Sequence, residues 1–122
     1  MASPATNANG HRRRELRRRV FAEESHCALC GGWVDKSLRG VPGKHGGRCL
    51  GQGCSGCSPD PMSAVVDEDL PRVRGGSPYS RDNCHLMHRK CNAAKGTMTI
   101  GEYMAREAQK TPARVVVNLV DW

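Results

Sequence analysis

Apolar positions are sparse along this chain and come in short groups. From Arg12 to about Glu24 the run RRRELRRRVFAEE sets Leu16, Val20 and Phe21 at helical spacing, which predicts a basic helix with a narrow apolar stripe. Residues 1–11 show no such period and read as a disordered leader. A β-branched run from Ala64 to Val66 predicts a short strand, closed by Pro71. Asp82 is placed to cap a helix from Asn83 to about Ala94, with Gly96 as its stop. Residues 100–109, IGEYMAREAQ, predict another short helix, and RVVVNLV within 111–122 a final strand or extended arm. Residues 39–60 are so rich in Gly, Pro and Cys that nothing can pack there without cross-linking.

Composition explains what must hold such a chain together. At 122 residues and 38% hydrophobic it has room for one domain, 12–110, and too little apolar surface for a comfortable core. Seven cysteines offer a second source of stability. There is no apolar run of the roughly 18 residues that a membrane span requires, and Met1 to Gly10 lacks the apolar core of a secretory signal. The expectation is a cytoplasmic, reducing compartment, where metal ligation is favoured over disulfides.

The net charge is +7, and 14 of the 19 basic residues are arginine, which points to a polyanionic partner or to solubility alone. Six arginines lie between positions 12 and 19, and like charges so crowded repel unless something anionic is near. Arg12, Arg13, Arg14, Arg17 and Arg18 are therefore candidate DNA contacts.

The cysteines fall into two sets. Cys27 and Cys30, followed by two glycines, form a knuckle that needs two further ligands, and His88-x-x-Cys91 supplies them for a structural zinc site. Cys84 is an alternative ligand, better read as a small core residue. His45, Cys49, Cys54 and Cys57 make a complete second set inside the insertion, or else are incidental thiols on a flexible loop.

Asp67, Glu68 and Asp69 cluster after the predicted strand. They either pair with Arg72 or Arg74 or place a hard cation, Mg²⁺ or Mn²⁺, against a phosphodiester. Here residues 26–36 and 65–96, the latter reading VVDEDLPRVRGGSPYSRDNCHLMHRKCNAAKG, resemble the HNH endonucleases, specifically the small zinc-stapled type frequent in bacteriophages. The resemblance implies an α+β fold of the ββα-metal type (the HNH or His-Me finger), elaborated by the basic helix and the Cys-rich insertion. It implies a metal-dependent DNA endonuclease, in a bacterial host cytoplasm if phage-encoded, with a phage terminase as a packaging partner. Asp67 and Asn92 match the ligands of the catalytic ion, Asn83 the residue bracing the loop, and Cys27, Cys30, His88 and Cys91 the structural zinc. Pro71, Gly75 and Gly76 match the loop itself.

Glu68 departs from the pattern, standing where the family has its general-base histidine. A glutamate there can activate water or bind the metal, and Asp69 makes a three-acid site conceivable. On the predicted helix His85, Arg89 and Asn92 share one face and Cys84, His88 and Cys91 another. That makes His85 a candidate for the missing imidazole, or an ordinary exposed histidine, and Arg89 a phosphate clamp. Arg72, Arg74 and Lys95 complete the candidate DNA contacts. A zinc-stapled DNA-binding module without catalysis is the competing reading.

Overall fold

The computed structural model describes residues 4–110. Its elements are α1 (Pro4–Glu23), β1 (Ala64–Glu68), β2 (Cys84–His88), α2 (Arg89–Lys95) and α3 (Ile100–Gln109), with 3-10 turns at Arg72–Arg74 and Arg81–Asn83. The architecture is α+β, a two-stranded antiparallel sheet with three helices. None of the described helices is long and apolar enough to cross a membrane.

α1 starts at Pro4 rather than Arg12, so most of the expected leader is helical. Proline is tolerated in a first turn, because the N–H it lacks would have no helical partner there. Leu16 and Val20 are buried as their spacing predicts, and Lys36 donates to the carbonyl of Phe21 near the helix end.

The helix expected over Asn83–Ala94 is corrected. Cys84–His88 is a strand in register with β1, pairing Ala64 with His88, Val66 with Leu86 and Asp67 with His85. The helix is only Arg89–Lys95, closed by Gly96 at φ 58. Local preference there gives way to pairing with the β-branched β1 and to burial of Leu86 and Met87 on opposite sheet faces. The outer edge of β2 is also occupied: Ala28 N–H donates to Leu86 O at 2.9 Å, and Leu86 N–H donates to the Glu24 carboxylate at 3.0 Å. Consequently the proposed helix with a catalytic face and a zinc face does not exist.

α3 forms as expected. Thr99 and Glu102 make a reciprocal capping box at its start, a signal carried by residues three apart in the sequence. Asp69 accepts from Ile100 N–H at 2.7 Å, and Arg74 pairs with Glu102 at 2.5 Å, so α3 is tied to the exit of β1. The 39–60 insertion closes at its base through a bridge between Gly40 and Pro59. A Cβ on Gly40 would run into Gly56 O there, so its root admits only glycine. The arm expected over 111–122 lies outside the described residues.

Candidate metal centres

The first quartet assembles where three pieces of chain meet. Cys27 and Cys30 sit on the knuckle, His88 ends β2, and Cys91 lies in the first turn of α2; their ligand atoms all fall within 4.8 Å of one another. His88 Nδ1 is 3.4 Å from Cys30 Sγ and 3.9 Å from Cys91 Sγ. Ligands about 2.0–2.3 Å from a tetrahedral zinc stand about 3.3–3.8 Å apart, so this set fits the ion. His88 Nε2 faces Trp33 O at 2.9 Å, which fixes the tautomer that leaves Nδ1 for metal. Leu29 and Gly32 N–H groups donate to the sulfurs of Cys27 and Cys30, each at 3.4 Å, and Gly31 turns the knuckle at φ 78.

Without a cation these thiols conflict. Burial pushes the Cys27 thiol up, but backbone N–H donors and Cys30 outweigh it and bring it down to about 7. Burial together with the negative charge of Cys27 and Cys30 pushes Cys91 up to about 12. A divalent cation removes the conflict by making every thiolate favourable.

The second quartet, His45, Cys49, Cys54 and Cys57, also converges within 4.8 Å, with His45 Nδ1 3.3 Å from Cys49 Sγ and 4.0 Å from Cys57 Sγ. Gly51 N–H donates to Cys49 at 3.4 Å and Gly46 N–H to Cys57 at 3.3 Å, the same device as on the first knuckle. Four thiol and imidazole ligands in a segment with no apolar core are a donor set suited to zinc. Cys84 belongs to neither quartet. It is fully buried, its thiol against Arg13 at 3.6 Å and Ser77 O at 3.8 Å, consistent with a core role.

Asp67, Asn92 and Lys95 come together at the far end of β1. Lys95 Nζ lies 2.9 Å from Asp67 Oδ2 and donates to Glu68 O at 2.9 Å. With its amide turned to satisfy its neighbours, Asn92 donates through Nδ2 to Asp67 Oδ1 at 2.9 Å and Oδ2 at 3.3 Å. Burial pushes the Asp67 carboxyl above its ordinary value, while Lys95 pulls it down.

The other acids part company. β1 is regular through Glu68, so Glu68 points to the sheet face opposite Asp67, and among the described residues its carboxylate has no hydrogen-bond partner. Asp69 caps α3, so the three-acid site does not assemble. His85 is the register partner of Asp67, yet its Nδ1 lies 3.1 Å from Glu24 and its Nε2 3.1 Å from Asp82 O. Both nitrogens are thus turned to Glu24 and Asp82 rather than to Asp67.

Asn83 grips the loop as expected. Its Oδ1 accepts from Leu70 N–H at 2.9 Å, while Nδ2 donates to Leu70 O and Ser77 O, both at 3.0 Å. Gly76 packs so closely on Leu70 O that a Cβ would collide with it.

The arginines also separate by role. Arg14, Arg17, Arg18, Arg72 and Arg89 are exposed, and the exposed Arg12 stacks on Tyr79 at 4.2 Å. Arg13 instead donates to Pro78 O at 2.7 Å and Val66 O at 3.1 Å, tying α1 to β1 rather than facing outward. Arg74 is engaged by Glu102. Lys95 is fully buried, which corrects its placement among the DNA contacts: an ammonium locked onto Asp67 inside the fold cannot reach a phosphate. Arg39 is exposed beside Arg17 and Arg89, a neighbourhood that only the fold creates from positions so far apart along the chain. Comparison of the chain with protein-family models, curated proteins and solved structures finds no match.

Proposed function

We propose that this chain is a zinc-stapled, metal-dependent DNA endonuclease of the ββα-metal type, hydrolysing phosphodiester bonds beside Asp67. The observation that carries the reading is the meeting of Asp67 on β1 with Asn92 on α2, the Asn92 amide 2.9 Å from the Asp67 carboxylate, since both side chains bear oxygens that suit Mg²⁺ or Mn²⁺. A divalent ion held there would polarise the phosphodiester and stabilise the leaving oxygen. Asp67 and Asn92 are the residues that would hold it, one on β1 and one on α2, and the Cys27 quartet would tie α2 to β2, the strand paired with β1. Glu68, left without a partner at the last position of β1, would take the proton of the attacking water by folding its side chain round the strand end to the Asp67 side. Asn83 keeps the following loop in shape, and the exposed arginines of α1 hold the phosphate backbone. Phage origin and a terminase partner rest on the motif resemblance alone.

One observation favours a catalytically silent DNA-binding module instead. The Lys95 ammonium already neutralises Asp67, the charge a divalent ion would need. Incubating purified protein with supercoiled plasmid in Mg²⁺, Mn²⁺ or EDTA separates the two. Nicking that EDTA abolishes supports the nuclease; tight binding with no nicking in either metal supports the silent module.

A further inference from the structure

The insertion reaches back to the sheet at one place. A cleft of about 330 Å³ opens between α1, the root of the insertion and the start of α2. Arg17, Arg39 and Arg89 line it, one from each of those pieces, with Ser63 and the zinc-set residue Cys57 in its wall. The lining contains no carboxylate. Arg89 Nε donates to Ser63 Oγ at 3.0 Å, and Arg39 Nη1 donates to Lys36 O at 2.9 Å and Leu38 O at 3.1 Å. Two of the three guanidiniums are thus held in place by neutral acceptors, with no carboxylate paired to them among the described residues. Such fixed, partly preorganised forks match the oxygens of a phosphate diester.

We infer that this cleft is a second phosphate subsite, which takes a backbone phosphodiester of bound DNA away from the Asp67 centre and which the metal in the insertion holds open. The inference rests on the DNA-binding reading above and gives the Cys-rich insertion a purpose that reading leaves unstated. β1 runs from Ala64, in the cleft, to Asp67, a distance of about 10 Å at 3.3 Å per residue. That span is within reach of neighbouring nucleotides of one strand, so one strand can engage both places. The role of metal follows from Cys57, which is at once a ligand of the second quartet and part of the cleft wall. Folding of the loop on its metal and placement of Arg39 at its root are then one event.

Anisotropy titration of a fluorescent 20-base-pair duplex against salt tests this, with intact zinc-loaded protein and with Arg39→Gln, Arg89→Gln and Cys57→Ser. Each lost phosphate contact should lower the slope of log affinity against log salt by about 0.9 and cost on the order of fivefold in affinity near 0.15 M salt. Arg39→Gln and Arg89→Gln should each show that loss, and Cys57→Ser should reproduce the loss of Arg39→Gln. Arg48→Gln, at an exposed arginine elsewhere in the insertion, should change neither quantity by as much. Melting curves confirm that each variant is folded, and the two arginine variants answer the question should Cys57→Ser fail to fold. If intact protein binds the duplex and both arginine variants bind with unchanged slope, the subsite is wrong and the DNA-binding reading stands. If intact protein does not bind, both are wrong. Inorganic phosphate that competes equally with the duplex in intact protein and in Arg39→Gln would place free phosphate elsewhere and overturn the subsite.

Discussion

Asn83 shows how much a single side chain decides here. Three hydrogen bonds from one amide fix Leu70 and Ser77, and replacing it with alanine leaves the Leu70 amide and two carbonyls without that partner. Asn83→Ala should lower stability by about 2 kcal/mol in denaturant melts, with zinc content unchanged. A variant as stable as the parent would show that water replaces the brace at no cost. Glu68 poses the sharper chemical question. If it is the base, Glu68→Gln should lose cleavage by a factor of about 100 or more and keep its divalent-ion affinity, and Glu68→His should recover part of the rate. His85→Ala should retain most activity, since both its nitrogens are already engaged. Loss of cleavage in His85→Ala with Glu68→Gln near normal would move the base to β2. At this scale the sequence was informative about polar roles and blind to burial. The brace at Asn83 and the partnership of Asp67 with Asn92 were expected from motif positions, whereas the inward turn of Lys95 and Arg13 depends on what packs over them. A cation in a row of cations gives no sign of which one faces in.

Among elements, the Cys27 quartet, which could hold zinc, is the joint between knuckle, β2 and α2. Structural zinc supplies on the order of 10 kcal/mol in small modules, so Cys30→Ser or Cys91→Ser should unfold the domain, as a lost thermal transition would record. The pH dependence has a definite sign. The folded site favours the Cys27 thiolate, at about 7 against an ordinary value of 9.0, so its contribution is complete above pH 9 and is lost as pH falls from 9 through 7. Metal extends the same effect to the other thiols. Acidifying the zinc-loaded protein from pH 8 to 6 should therefore lower its stability, by about 1.4 kcal/mol per pH unit for each proton the unfolded chain holds and the folded site does not, which a falling melting temperature would record. A flat profile would mean that the thiols are not ligands. The elements themselves were unevenly legible. β1 and α3 carry local signals in their β-branched run and capping residues. β2 carries none: CHLMH has no β-branched residue and is a strand because β1, Glu24 and the knuckle supply partners for its backbone.

For the molecule as a whole, a small core is accompanied by two Cys/His quartets that could each hold zinc. Leu16, Val20, Val34, Val66, Leu86 and Met87 form one buried cluster under α1 and the sheet, and the insertion stands outside it with its own ligands. Metal analysis of purified protein should find two zinc ions per chain, falling to one in Cys54→Ser with the first quartet intact. A single ion unaffected by that change would mean the insertion folds without metal. The spacing of cysteines and histidines made both sets legible, because ligands close in sequence need little help from tertiary structure. The arginine cleft was not legible, since its three members lie far apart along the chain. The central claim, that Asp67 and Asn92 hold a divalent ion against DNA, is tested most directly by the rate of plasmid nicking in Mn²⁺ for the parent chain, Asp67→Ala and Asn92→Ala. The account predicts nicking by the parent and a loss of about 100-fold or more in each variant, with zinc content and duplex affinity retained; no nicking by the parent, or equal nicking by all three, would contradict it.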